Sequence, residues 1–298
     1  MSAQHDHGHD ERRLVIACAL ISAFMVAEVI AAFLASSLAL LADAGHMLTD
    51  AIALVMAIVA LRLARRPAQG RWTFGYGRAE VLSAAINGVT LLVVAAVVLV
   101  EAIKRLLSPS DVAGAPLVVV ASVGLLVSLV ATLVLSGADR RSLNIAGAFA
   151  HVATDTVAFA ATIIAGVVVL ATGAERADPI AALFVVVLMS RAAWSLLRDS
   201  GHVLLEGAPA NVDLTELRSH LLETSHVVAV HDLHAWTSGS RLPSVSAHVV
   251  VDDACFADGR SPQLLDQLQG CLAGHFDVEH STFQLEPASH AAHELGMH

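Results

Sequence analysis

Six long apolar segments fill the first two-thirds of the chain and constrain its fold more than any other feature. In chain order they cover residues 14–35, 39–64, 80–106, 116–137, 144–172 and 178–199. A helix of about 20 apolar residues crosses the roughly 30 Å of hydrocarbon in a bilayer, so each segment is long enough to span it. The composition, 56% hydrophobic and only 15% charged, is also unlike that of a soluble domain. The sequence therefore predicts six transmembrane helices.

Basic residues lie mainly in alternate connections between these segments. They precede the first segment, cluster between the second and third, recur between the fourth and fifth, and end the sixth: Arg12, Arg13, Arg62, Arg65, Arg66, Arg71, Arg78, Arg140, Arg141 and Arg198. The remaining connections are poorer, with Lys104, Arg105 and Arg176. Because Lys and Arg concentrate in cytoplasmic loops, this distribution predicts that both termini are cytoplasmic.

The second and fifth segments each place a His and an Asp four residues apart, His46 with Asp50 and His151 with Asp155. Residues four apart share one face of a helix, roughly 6 Å apart along its axis. A charged Asp at the centre of a spanning helix costs about 2.5–3.5 kcal/mol on insertion scales, so it normally faces a cavity, a partner or an ion path. The rise per residue puts both pairs near the middle of the membrane.

Two imidazoles and two carboxylates form a donor set that suits Zn²⁺, which accepts tetrahedral ligation by nitrogen and oxygen. We therefore predict that His46, Asp50, His151 and Asp155 form one mid-membrane metal site. The alternative is that each pair hydrogen-bonds within itself or to a neighbouring helix.

From about residue 206 the pattern becomes that of a soluble α+β domain. It predicts helices at 213–224 and 261–275 and strands at 227–237, 244–252 and 281–286. The predicted division is a His-rich cytoplasmic tail at 1–13, a transmembrane domain at 14–205, the α+β domain at 206–287 and a His-containing tail at 288–298. Such His tracts either bind metal loosely or are solvated tails without a role.

Several histidines lie on the predicted strands of this domain. On a regular strand His231 and His234 point to opposite faces, so at most one of them can join His248 in one site. We favour a metal site of His231, His248 and Glu286, and the alternative is that these side chains only pack or face solvent.

The cysteines and the net charge indicate which compartments and partners suit the protein. Cys18, Cys255 and Cys271 have no CxxC spacing and give no disulfide framework, which favours a reducing compartment for the polar domain. A net charge of −10 argues against a nucleic-acid partner, since no basic surface is available to offset phosphates.

Four stretches of the sequence closely resemble the cation diffusion facilitators, in particular bacterial efflux proteins for zinc, cobalt and cadmium. They are the run from Ser37 to Asp50, the loop Phe74-Gly-Tyr-Gly-Arg-Ala-Glu80, the pair His151 and Asp155, and the stretch His231-Asp-Leu-His-Ala-Trp236. The resemblance covers about residues 12 to 287. It implies six membrane helices, a ferredoxin-like, metallochaperone-like cytoplasmic domain, a homodimer in the bacterial inner membrane, and metal efflux coupled to inward protons. It also implies that His46, Asp50, His151 and Asp155 form the transport site.

Two further expectations come from this resemblance. Some members have a metal site in the loop after the second helix, where this chain has Gln69, Trp72 and Tyr76, so we expect that site to be absent. Arg78 and Glu206 align with a charge pair that in relatives ties the dimer together near the membrane surface.

The predicted function is proton-coupled efflux of divalent cations, most of all Zn²⁺, with Cd²⁺, Co²⁺ and Ni²⁺ as further cargo. Ligands must be deprotonated to bind metal, so protons and zinc compete for one site, and a reference pKa near 6.5 makes His the more suitable proton carrier. The alternatives are a membrane-anchored zinc sensor and a membrane zinc metalloenzyme. The chain has no HExxH motif, and we predict that it is not an enzyme.

Overall fold

The computed structural model describes residues 3–35, 38–108, 114–174, 176–239, 243–276, 278 and 280–291. Side chains are described for the same residues except 3–8, 31–35, 38–46, 114–117 and 291. The chain divides into two compact units, Met1–Gly201 and His202–His298.

The first unit is built from six long helices within the described ranges, α1 to α6. Their bounds are Ala3–Ala35, Leu38–Ala64, Arg78–Leu107, Gly114–Ser136, Leu143–Thr172 and Ala177–Leu204. Each contains a stretch that is long and apolar enough to cross a membrane, by length and composition alone. The prediction of six transmembrane helices is confirmed.

The first helix begins earlier than the apolar pattern suggests. Helix α1 starts at Ala3, so most of the segment expected to be a separate tail, residues 1–13, is helical and continuous with the first span. Tertiary contacts stabilise this extension: Arg62 Nε donates to Glu11 Oε1 at 2.7 Å, and the Asp139 amide donates to Asp10 Oδ1 at 3.0 Å. The apolar periodicity could not predict these contacts because polar residues make them.

The six helices form two buried cores. Helices α1, α2, α4 and α5 share the larger one, which includes Leu14, Leu54, Leu135 and Val152. Helices α3 and α6 share a smaller core around Leu91 and Met189, with part of α5 packed against it.

Small residues allow close approach where α6 meets its neighbours. A Cβ added at Gly147 of α5 would lie 3.0 Å from Leu196 Cδ2, and one at Gly88 of α3 would lie 2.9 Å from Leu197 Cγ. Larger side chains at either glycine would push α6 away, which agrees with the role of small residues in membrane helix packing.

The second unit is a small α+β domain. Its described elements are α7 (Leu214–Leu222), β1 (Val227–Thr237), β2 (Pro243–Val251), α8 (Ala254–Ala257), α9 (Ser261–His275), β3 (His280–Pro287) and α10 (Ala288–Ala291). The strand order is β1-β2-β3, with β1 antiparallel and β3 parallel to β2. The predicted fold class, membrane helices followed by an α+β domain, is confirmed. The C-terminal tail beyond Ala291 lies outside the described residues.

One face of this sheet carries the core of the domain. Leu217 and Leu221 of α7 pack with Leu264, Leu268 and Leu272 of α9 against inward-facing strand residues. The start of α7 is fixed by Asp213, whose Oδ1 accepts from the amides of Thr215 and Glu216. These hydrogen bonds lower the pKa of the Asp213 carboxyl.

Candidate metal centres

Helices α2 and α5 run antiparallel, and two contacts fix their register. His151 of α5 faces Asp50 of α2, while the Asn144 side-chain amide donates to the Ala57 carbonyl of α2 at 2.7 Å. Ala57 lies seven residues after Asp50 on α2, and Asn144 lies seven residues before His151 on α5. Seven residues are about two turns of a helix. The hydrogen bond and the His–Asp contact therefore lie on the same pair of facing surfaces.

A buried cluster of Asp50, His151 and Asp155 occupies this interface. His151 Nε2 lies 2.6 Å from Asp50 Oδ1 and 3.9 Å from Asp155 Oδ2. One ligand atom from each of the three residues lies within 4.8 Å of the others, as a single metal ion requires. The three residues are 0%, 2% and 6% exposed. The structure thus brings three of the four predicted transport-site residues together.

The fourth predicted ligand, His46, belongs to α2, one turn before Asp50. Its side chain lies outside the described residues.

A second cluster lies on the face of the sheet opposite the helices of the small domain. His231 Nε2 is 3.2 Å from Glu286 Oε2, and His248 Nδ1 is 2.7 Å from Glu286 Oε1. The two imidazole rings are 5.0 Å apart between centroids, and the Glu286 carboxylate is 2% exposed. Ligand atoms of all three residues lie within 4.8 Å of one another. Two imidazole nitrogens and one carboxylate form a donor set that fits Zn²⁺ or a similar cation.

The strand that carries His231 is irregular, which corrects one expectation. His231 pairs with His248 and His234 pairs with Ser246, so β1 advances three residues where β2 advances two. The extra residue forms a β-bulge at Asp232, whose φ is +44°. The prediction that His231 and His234 face opposite sides was wrong, because it assumed a regular strand. His234 lies beside Ser246 and His248 in a groove of about 330 Å³.

The remaining predicted residues lie outside these two clusters. In the loop after α2, the Trp72 and Tyr76 rings lie 5.2 Å apart, and Gln69 pairs with Trp72 in an isolated bridge. Arg78 begins α3 in the first unit, whereas Glu206 belongs to the second. The Arg78–Glu206 pair stays a prediction.

Comparison with known families covers almost the whole chain. The family model for the cation efflux transmembrane domain matches residues 14–205. The model for the cytoplasmic domain of cation efflux proteins matches residues 209–288. The chain belongs to the cation efflux family. The resemblance to cation diffusion facilitators is confirmed.

Curated relatives of this cation efflux protein are similar over nearly their full length. The cadmium, cobalt and zinc/H(+)-K(+) antiporter of Bacillus velezensis is 39% identical over 97% of this chain and 93% of its own. The metal cation efflux system protein CzcD of Cupriavidus metallidurans is 40% identical over 97% and 91%. The zinc transporter ZitB of Escherichia coli is 39% identical over 95% and 92%.

One solved structure also matches a quarter of this cation efflux protein. It is the metal-bound C-terminal domain of the CzcD transporter of Cupriavidus metallidurans, 39% identical over 25% of this chain and 99% of that chain, with a TM-score of 0.23.

The charge of the membrane cluster limits what this cation efflux protein can hold there. Asp50 and Asp155, when ionised, place two negative charges in an apolar interior, where unbalanced charges are costly. A protonated His151 balances only one of them, whereas a divalent cation balances both. The cluster is therefore suited to binding either a divalent cation or protons.

Sequence reasoning missed the polar residues that position the helices around this cluster. One of them is Asn144, described above. Another is Ser142, whose Oγ donates to Glu80 Oε2 at 2.7 Å and so connects the start of α5 to the start of α3. All three residues are buried. In the sequence these residues stood out only as polar positions at the ends of apolar segments. Such positions are also typical of ordinary helix boundaries.

Proposed function

We propose that this cation efflux protein exports divalent metal cations, above all Zn²⁺, from the cytoplasm in exchange for protons. The observation that carries the proposal is the buried cluster of Asp50, His151 and Asp155 between two antiparallel membrane helices. His46 completes the site as a fourth ligand. Metal is the cargo at this site, and it enters and leaves in every cycle.

The exchange follows from competition for the same lone pairs. A metal ion binds only to deprotonated ligands, so its arrival releases protons and its departure allows protons to return. If the site opens alternately to the two sides of the membrane, this competition becomes transport of metal against protons.

The names of the relatives support this range of metals. Those proteins are described as a cadmium, cobalt and zinc antiporter, a metal cation efflux protein and a zinc transporter. Two imidazoles with two carboxylates favour Zn²⁺ over harder ions such as Mn²⁺ while accepting Cd²⁺, Co²⁺ and Ni²⁺.

The cytoplasmic domain has a supporting role in this proposal. The protein is a homodimer in the bacterial inner membrane with both termini in the cytoplasm, as the Arg-rich connections favour. His231, His248 and Glu286 bind metal in the cytoplasm, and Arg78 with Glu206 ties the dimer near the membrane surface. The division of the chain is a transmembrane domain at 14–205 and a cytoplasmic domain at 206–287.

The two rival functions account for less of the molecule. A membrane-anchored zinc sensor would need the sheet cluster but not a buried His–Asp cluster in the membrane. A zinc metalloenzyme would need a substrate cleft and a separate acid or base, and the chain has no HExxH motif.

The test is zinc uptake into proteoliposomes that contain Asp50→Asn or Asp155→Asn. Each substitution keeps the shape of the side chain but removes one charge, and we expect zinc transport to fall by about 100-fold or more while membrane insertion is normal. Asp199→Asn is the matched control, since Asp199 lies on α6 and pairs with the exposed Arg198. Normal transport by either site variant would refute the assignment.

A further inference from the structure

Four potential metal ligands lie together on the helical layer of the small domain, on the other side of the sheet from His231, His248 and Glu286. His220 is in the last turn of α7 and Glu223 caps the end of that helix. Cys271 and His275 are four residues apart on α9 and therefore share one face. Each helix thus contributes a pair of side chains with metal-binding atoms.

The hydrogen bonds of the two histidines leave the same ring nitrogen available on each. His220 Nδ1 lies 3.0 Å from the Glu216 carbonyl, and His275 Nδ1 lies 3.2 Å from the Cys271 carbonyl. A carbonyl can only accept, so Nδ1 carries the proton and Nε2 keeps its lone pair. Histidines that bind metals generally have one ring nitrogen held by a carbonyl or carboxylate in this way.

The two rings are also close together and partly fixed in orientation. Their centroids are 5.1 Å apart, with 44° between the ring planes. The buried Phe276 ring meets His220 edge to face at 5.4 Å, which limits the rotation of that imidazole. The imidazole rings of two neighbouring helices therefore lie side by side.

Cys271 adds a sulfur donor beside them. Burial and the nearby Glu223 carboxylate raise the pKa of the Cys271 thiol, so the thiolate is disfavoured while this pair has no cation. A bound cation would reverse that effect by attracting both groups, and the thiol would lose its proton on binding.

We propose that His220, Cys271 and His275, with Glu223 as the fourth ligand, bind a divalent transition metal ion between α7 and α9. The donor set of two imidazoles, a thiolate and a carboxylate suits Zn²⁺, Cd²⁺ and Co²⁺. Among the described residues, the donor atoms of this group do not already converge within 4.8 Å as those of the other two clusters do. Glu223 is exposed and Cys271 is half-buried, and the proposed site requires both side chains to rotate toward the imidazoles.

Cobalt absorption of the purified full-length protein in detergent tests the proposal. Only a cysteine ligand gives Co²⁺ a thiolate charge-transfer band, so histidines elsewhere in the chain do not interfere. We expect the band in the natural protein and its loss in Cys271→Ser. Cys18→Ser is the matched control and keeps the band, because Cys18 belongs to α1.

Further variants identify the other ligands and separate this site from the rest. His220→Ala and His275→Ala should each weaken Co²⁺ binding by about tenfold or more, measured by titration of the band. The band should persist in His231→Ala/His248→Ala and in Asp50→Asn, which alter the other two clusters.

Three results would overturn the proposal: no band in the natural protein, a band that survives Cys271→Ser, or a band whose titration is unchanged by both histidine substitutions. In each case His220 and His275 serve only to interact with the carboxyl ends of their helices. The outcome is independent of zinc transport, because none of these residues belongs to the membrane cluster.

Discussion

At the scale of single residues, the membrane cluster is defined by its charge. Asp50 and Asp155 are buried on facing helices, with the His151 ring between them. Two carboxylates match the charge of one divalent cation, and imidazole nitrogen selects among such cations. The proposed site therefore assigns charge compensation and metal selectivity to different side chains.

The substitution His151→Asp separates these two contributions. It replaces a nitrogen ligand with a third carboxylate and moves the donor set toward the oxygen ligands that harder cations prefer. We expect the ratio of Zn²⁺ to Mn²⁺ transport in proteoliposomes to fall by about tenfold or more. An unchanged ratio would show that His151 does not bind the cargo.

A residue-scale prediction for the small domain concerns the cap of α7. The pKa of Asp213 is lowered in the folded state, so its stabilising effect is present above the ordinary carboxyl pKa near 4 and is lost as pH falls through the lower folded value. Asp213→Ala should lower the thermal unfolding midpoint of the domain at neutral pH, because the amides of Thr215 and Glu216 lose their acceptor.

The matched variant for this cap is Asp213→Asn. Asn caps about as well as Asp but does not titrate. We expect its midpoint at neutral pH to stay near that of the natural protein, while the decrease between pH 5 and pH 3 becomes smaller. An unchanged pH dependence in Asp213→Asn would contradict the assignment.

At the scale of helices and strands, most of the fold was predictable from periodicity. Apolar segments of about 20 residues or longer predicted the six spans. The alternation of apolar and polar residues predicted the three strands within one or two residues of their observed ends. Two features were not predictable because they depend on contacts or local backbone geometry. The extension of α1 rests on ion pairs with α2, and the bulge at Asp232 reverses the parity of His234.

The candidate sites were predictable to a similar degree. The spacing of His151 and Asp155 placed them on one face, and the structure brings the predicted Asp50 of α2 next to them. Spacing could not reveal the hydrogen bond from Asn144 to the Ala57 carbonyl, since it does not give the register between two facing helices.

That hydrogen bond gives the prediction at the scale of helices. Asn144→Leu removes the contact that holds α5 in register with α2, two turns from the metal cluster. A buried hydrogen bond between membrane helices contributes roughly 1 kcal/mol, so we expect zinc affinity to fall by about fivefold in an equilibrium binding assay. Thr156→Val is the control, because Thr156 bonds to Thr132 of α4 instead. Equal affinities in the two variants would show that register does not depend on Asn144.

At the scale of the whole molecule, the two units have different tasks. The membrane unit buries acidic and imidazole groups in an apolar interior, where such groups normally face a partner, a cavity or an ion path. The cytoplasmic unit presents its donor groups on both faces of a small sheet, at His231, His248 and Glu286 on one face and at His220, Cys271 and His275 on the helical layer. In the proposed function the membrane site exchanges ions, and the sites of the second unit bind metal.

Exchange at the buried cluster is tested by following zinc and protons together in the same sealed proteoliposomes. With an imposed pH gradient, zinc should move in one direction while protons move in the other. Both movements should stop when the gradient is collapsed and should be lost in Asp155→Asn. Zinc movement that continues at the same rate without proton counterflow, or that persists in Asp155→Asn, would contradict exchange at the buried cluster.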